Sequence, residues 1–282
     1  MSSILVTRNA SEMQSAISKW KTKKAKIALI PTMGSLHDGH LAHLSYAKER
    51  AERVVVSIFV NPAQFAPQED FDRYPRNIDS DTHKLQSAGG TDLIYAPAVN
   101  EVYPDGINIE SKLGGLACGL ESDFRPHFFS GVVTVIEKLF LQVSPDFATF
   151  GEKDFQQLRV VESLVDRLKM NIEILPVPVV REKDGLALSS RNAYLTTEER
   201  KIAPALFHTV QNIAERVRAG HDIAQAEAEG NAALLRFGFD RIDYFAVRDS
   251  KTLHPIRDFA APSHVLVSAW LGKTRLIDNL AV

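Results

Sequence analysis

Short apolar runs alternate with stretches of helical periodicity through the first two thirds of the chain. Residues 27–31 (IALIP), between Lys26 and Thr32, have the length and character of a buried strand. A glycine-containing turn follows, and the pattern predicts a helix from about Gly39 to Arg53. Next come VVVSIFV at 54–60, a helix around Asp79 to Ser87, and DLIYAP at 92–97. A helix from about Val132 to Val143 precedes DFATFG at 146–151, and another is expected from about Asp154 to Met170, before NIEILPVPVV. Strand-length apolar runs separated by amphipathic helices predict an α/β fold, a Rossmann-like parallel sheet with helices on both faces. Ligands of such sheets bind beyond the carboxyl ends of the strands, so candidate chemistry is sought there.

After residue 178 the rhythm changes. A polar turn at 181–186 leads to helical stretches near Thr197–Ala219 and Ile223–Phe237, and then IDYFAVRD and HVLVSAWLG suggest a small sheet. The expected division is residues 1–178 as the Rossmann-like domain and 179–282 as a smaller α+β domain covering the site. A length of 282 residues agrees with two domains.

Composition narrows the functional classes. A net charge of −2 supplies no global field for nucleic acid or an anionic membrane, so any anion site must be built locally. The single cysteine, Cys118, excludes a disulfide framework and a multi-cysteine zinc site. The start of the chain lacks a basic stretch followed by an apolar core. Its longest apolar runs, such as Val54 to Val60, fall well short of the roughly 20 residues needed to cross a bilayer. A cytoplasmic protein is the expectation.

Four segments at successive strand ends carry candidate chemistry. In PTMGSLHDGH (31–40), His37 and His40 flank Gly39 where a helix should begin. Unpaired N–H groups and the positive end of the helix dipole attract phosphate there, and Gly34 and Gly39 allow close backbone approach. A satisfied turn histidine or an H-x-x-H metal pair is the alternative, and His43 reads as packing or surface. In FVNPAQF (59–65), Asn61 and Gln64 can both donate and accept hydrogen bonds, which suits a small hydroxy acid; polar caps of a loop are the alternative. Arg76 in YPR suits an anion or a surface ion pair. In GEKDFQQ (151–157), Lys153 can neutralise charge developing on phosphorus, Asp154 stands where an N-cap belongs, and Gln157 lies one turn into the helix. GLALSSRN (185–192) offers two hydroxyls and Arg191 to a pyrophosphate, although alone it reads as a capped turn.

Together these segments resemble the pantothenate synthetase family, within the HxGH nucleotidyl-transferring folds. PTMGSLHDGH, FVNPAQF, YPR, GEKDFQQL and LSSRN follow the family's order over nearly the whole chain. The resemblance implies condensation of pantoate with β-alanine, driven by ATP through a pantoyl adenylate. It implies ATP contacts from Met33, Gly34, Ser35, Leu36, His37, Asp38, Gly39 and His40, with His40 as proton donor. Gly151, Glu152, Lys153, Asp154, Val180, Leu188, Ser189, Ser190 and Arg191 would complete the nucleotide site. Gln64 and Gln157, with Asn61 and Met33, would hold pantoate, and Gln64 would also approach β-alanine. Catalytic roles fall to His37, His40, Lys153 and Arg191. Magnesium with ATP and a homodimer are implied as well, without assigned metal ligands.

Two positions depart from the family pattern. Leu188 replaces a common methionine, and RPHFFSG (125–131) carries His127 and Phe128 where glycine and histidine are usual. A cytidylyltransferase shares the histidine motif but not GEKDFQQ or FVNPAQF. A nucleotide-sensing module would not need both histidines together with Lys153 and Arg191. A transition-metal site on His37, His40 and His43 is the third alternative.

Overall fold

The computed structural model describes residues 4–66, 69, 71–109, 113–259 and 262–282. The chain up to Val177 contains strands β1 (Leu5–Thr7), β2 (Ile27–Thr32), β3 (Arg53–Ile58) and β4 (Leu93–Tyr95), then β5 (Phe147–Gly151) and β6 (Glu173–Val177). They form one parallel sheet in the order β1-β4-β3-β2-β5-β6. Connecting helices are α1 (Ala10–Thr22), α2 (Asp38–Arg50), α3 (Ile78–Ala88), the short α4 (Val99–Val102) and α5 (Glu121–Phe124), then α6 (Phe128–Val143) and α7 (Phe155–Leu168).

Alternation along β2 shows why both faces are covered. Ile27 and Leu29 join a core with Met13 of α1, Phe129 and Phe140 of α6, and Leu164 of α7. Ala28 and Ile30 join a second core with Leu44 and Ala47 of α2 and Leu85 of α3. Successive strand side chains point to opposite faces, so a run apolar at every position must be buried on both sides.

The remainder contains α8 (Thr197–Ile202), α9 (Ala205–Arg218), α10 (Ile223–Phe237), and strands β7 (Arg241–Asp249), β8 (Ser263–Leu271) and β9 (Thr274–Ala281). The three strands form an antiparallel sheet in the order β7-β8-β9. Residues from Leu186 onward build a further core in which α9 and α10 pack on that sheet.

Several boundaries differ from the sequence reading. The single helix expected over 197–219 is two, broken at Ala203 and Pro204, where proline supplies no N–H for the ladder. Helix α6 starts at Phe128, four residues before the expected Val132. The helix expected to run on to Arg53 ends at Arg50, and Arg53 instead opens β3. Strands β1 and β9 and helix α1 have no counterpart in the sequence reading. Helix α10 occupies the predicted residues, capped by the Asp222 side chain, which accepts from the Gln225 N–H.

Candidate active site

The turn after β2 is fixed by α3. The buried Asp81 carboxylate accepts from the backbone N–H groups of Ser35 and Leu36, each at 2.8 Å, and Lys84 donates to the Leu36 carbonyl at 2.6 Å. Nothing in the sequence around Asp81 signals this role, because its partners lie more than forty residues upstream. The turn delivers His37 to the N-cap of α2, and His40 follows in the first turn. Their rings lie 4.0 Å apart, and the His40 Nδ1 accepts from the His37 backbone N–H at 3.3 Å. Gly39 leaves room for the His37 ring, since a Cβ there would lie 2.8 Å from it. Among the described residues, the buried His37 Nδ1 has no hydrogen-bond partner.

All three histidines of this helix resist protonation. Burial, then Lys153, lowers His37 to about 4. Burial, then His37 and His43, holds His40 well below its usual value. Burial, then His37, lowers His43 to about 4. His43, read above as packing or surface, is half-buried on the cavity wall with its Nδ1 2.8 Å from the Thr149 hydroxyl. It follows His40 by three residues, so both share one face of α2.

A stability profile follows from these shifts. A histidine in the unfolded chain binds its proton near pH ~6.5, whereas folded His37 and His43 bind theirs near 4. Between those values the unfolded state holds more protons, so the stability present above the unfolded pKa is lost as pH falls toward the folded one. Melting temperatures should therefore decline over that window, and His43→Gln should flatten the decline. An identical slope in the variant would show that His43 titrates as it does in the unfolded chain.

Beyond β3, a 3-10 turn over Pro62–Gln64 follows Asn61. The buried Asn61 amide is fully engaged: Oδ1 accepts from Ala63 N–H and the Tyr103 hydroxyl, while Nδ2 donates to Gln64 Oε1 and the Gly131 carbonyl. Gln64 in turn directs its Nε2 at the Met33 sulfur, 3.3 Å away. Tyr74 reaches across to Ser190, hydroxyl to hydroxyl at 3.3 Å. Arg76 does not line this wall; it donates to the Phe71 carbonyl.

After β5, a 3-10 turn over Glu152–Asp154 leads into α7. Asp154 occupies the N-cap position, yet its side chain makes no capping hydrogen bond. In the fourth segment, Leu188 N–H donates to the Val180 carbonyl at 2.9 Å, and the Ser189 hydroxyl caps the turn over Ser190–Tyr194.

These segments enclose one cavity of about 930 Å³. Met33, His37, Gly39 and His40 line it, as do Asn61, Gln64, Gly151, Lys153, Asp154 and Gln157, together with Val180 and Leu188 through Arg191. Gly34, Ser35, Leu36, Asp38 and Glu152 do not reach its wall; Ser35 and Leu36 give their amides to Asp81. Among the described residues, no group of three or more His, Cys, Asp or Glu is placed to hold a metal ion.

The far wall is an ionic network that the motifs did not reveal. Arg275 Nη1 donates to both oxygens of Glu121 at 2.7 and 2.8 Å, and Arg125 donates to the same carboxylate at 3.0 Å. Arg275 also donates to Asp243, which accepts from the Trp270 indole as well. Burial pushes the Glu121 carboxyl up, but Arg275 and Arg125 outweigh it and hold the group below its usual range.

Comparison with known proteins finds similarity along nearly the whole chain. The sequence profile described as Pantoate-beta-alanine ligase matches residues 5–281. A relative from Bradyrhizobium sp. (strain BTAi1), named Pantothenate synthetase, is 49% identical over 279 residues, covering 98% of each chain. The crystal structure of pantothenate synthetase from Thermus thermophilus superposes with a TM-score of 0.92 at 42% identity, covering 98% of this chain and 99% of that one. The ligase from Francisella tularensis, solved with beta-gamma ATP and beta-alanine, superposes with a TM-score of 0.82 at 31% identity, covering 99% and 97%. With its fold and nearly every residue of its length matched, the chain belongs to the pantoate–β-alanine ligase family.

Proposed function

We propose that the cavity binds MgATP between the start of α2 and the Gly151–Asp154 and Leu188–Arg191 segments, with pantoate against Met33, Gln64 and Gln157. The chain is an ATP-dependent ligase that condenses pantoate with β-alanine, giving pantothenate, AMP and pyrophosphate. The observation that carries the site assignment is convergence: two imidazoles, an ammonium, a guanidinium and two hydroxyls from three separate segments of the chain line one cavity.

In the first half-reaction a pantoate carboxylate oxygen attacks the α-phosphorus, and the bond to the pyrophosphate oxygen breaks. Such a step depends on alignment and charge stabilisation rather than a covalent nucleophile. Lys153 and Arg191 meet the charge developing on the phosphoryl oxygens. His40 is neutral near pH 7, and because its Nδ1 accepts a hydrogen bond the ring proton sits on Nε2. It therefore offers a donor to the phosphates, and an arriving triphosphate favours its protonated form. His37 serves the same group. Asn61, engaged on all sides, contributes by fixing Gln64, and Gln64 also approaches β-alanine. In the second half-reaction the neutral β-alanine amine attacks the pantoyl carbonyl and AMP departs.

Magnesium belongs to the substrate here: Mg²⁺ commonly keeps its waters and binds through phosphate oxygens with one or two carboxylates, so no protein cage is required. Residues 179–282 are proposed as a separate domain over the site, supported by the core drawn from Leu186 onward. A homodimer in the cytoplasm completes the proposal and rests on the family resemblance; no helix among the described residues is long and apolar enough to cross a membrane.

The test is pyrophosphate release from MgATP with pantoate alone, β-alanine alone, and both. Sustained release only with both, with AMP and pantothenate formed in step, is expected. A single equivalent with pantoate alone would mark the bound adenylate, and sustained release without β-alanine would reject the two-step assignment.

A further inference from the structure

The middle of β9 holds two adjacent buried polar residues that the reaction scheme does not use, Asp278 at 3% and Asn279 at 4% exposure. Successive strand side chains diverge, and these two reach different parts of the site. Asn279 Nδ2 donates to the carbonyl oxygens of Glu152 at 2.8 Å and Lys153 at 3.0 Å, across 127 and 126 residues of sequence. Asp278 accepts from both terminal nitrogens of Arg181, at 2.6 and 2.8 Å, and its Oδ1 also accepts from the Asn279 N–H at 2.8 Å. Arg181 opens the hairpin that ends in Leu188 to Arg191, donating to the Gly185 carbonyl and bridging to Ala187.

Lysine carries its charge on a flexible four-carbon stem. Where that charge can reach is therefore set by the backbone turn beneath it. The turn over Glu152–Asp154 is a single 3-10 turn, and its N-cap, Gly151, supplies no side-chain hydrogen bond. Two consecutive carbonyls of the turn instead take their donors from one buried amide on a strand of the other sheet. An amide with two N–H groups is the smallest side chain that can bind both, and a carboxylate of the same shape can bind neither.

We propose that Asn279 is a positioning residue for adenylate formation: it fixes the turn that carries Lys153, while Asp278, through Arg181, ties the Leu188–Arg191 hairpin to the same strand. This inference rests on the role given to Lys153 above. Consecutive residues of β9 thereby set the distance between the two cationic segments that face the phosphates.

The experiment is a double-mutant cycle in the intact chain, reading steady-state pyrophosphate release with MgATP, pantoate and β-alanine together with the melting temperature. Asn279→Asp keeps the shape and removes the donors, and Asn279→Ala removes the amide without adding a charge. A displacement of ~1 Å in a catalytic group costs about 100-fold in rate. Each variant should therefore lower kcat by about that factor and leave the KM for pantoate unchanged. In a Lys153→Ala background the same substitutions should lower kcat less than about threefold. An equal fold-loss in both backgrounds, as general destabilisation would give, overturns the proposal, and so does a normal kcat in the single variants. If Lys153→Ala itself turns over normally, the role of Lys153 falls. If Lys153→Ala is slow while the Asn279 variants are not, the positioning role alone falls.

Discussion

Replacing Lys153 by alanine should slow pyrophosphate release by about 10²–10³-fold, the usual consequence of removing one preorganised donor from a transition state. The fold should survive, because the turn is held by its backbone: the Glu152 and Lys153 carbonyls accept from Asn279, and an alanine retains both. The melting temperature of the variant should match the parent. Lys153→Arg should recover only part of the rate, since a planar guanidinium does not occupy the position of a compact ammonium. A second readout is independent of turnover. Lys153 is the main charge depressing the His37 pKa, after burial. Its removal should raise that pKa toward the ordinary histidine value, visible in an NMR titration of the His37 ring. Release at the parental rate would remove Lys153 from the mechanism, whatever the titration shows.

How much of this site the sequence discloses depends on how local its causes are. The PTMGSLHDGH and GEKDFQQ segments are legible because strand, turn and helix start follow one another within a few residues, whereas LSSRN lies past the Arg181–Ala187 bridge and is legible by its residue types. The opposite wall is not. Glu121 and Arg275 meet across 154 residues of sequence, and each alone reads as an ordinary surface charge. Strand β9 is hidden for a related reason. Its centre is Asp278 and Asn279, which break the alternation expected of a half-buried strand, and their burial is explained only by Arg181 and the Glu152–Lys153 turn. His43 reads as packing or surface because a histidine on a helix commonly is. Its position on the cavity wall follows from α2 packing across β5, where Thr149 in the middle of the strand meets the ring. Asp154 illustrates the converse. Its place at the start of α7 is legible, but the helix start does not use its side chain, which instead lines the cavity.

Gly131→Ala should be the most damaging single-methyl change near the side of the cavity proposed for pantoate. A Cβ at this position would lie 2.3 Å from the Ala63 carbonyl oxygen, 2.5 Å from its carbon and 2.6 Å from the Gln64 Cα. All three are backbone atoms, so no rotamer change relieves the contact, and α6 must separate from the Pro62–Gln64 turn. That separation stretches the bond from Asn61 Nδ2 to the Gly131 carbonyl and releases Gln64, whose Oε1 accepts from the same Asn61 amide. Overpacking of this kind costs about 3 kcal/mol, at the upper end of the common range, and should appear as a lower midpoint in urea without a change in slope. The functional effect should be selective. The KM for pantoate should rise at least about tenfold, equivalent to ~1.4 kcal/mol of binding, while the KM for ATP changes little because the α2 start and the Gly151–Asp154 turn lie on other strand ends. Parallel increases in both constants would mean that the substitution loosens the whole cavity rather than the Asn61–Gln64 turn. An unchanged urea midpoint would show that α6 can move aside freely, and the close approach of Gly131 to Ala63 would then have no bearing on how pantoate is held.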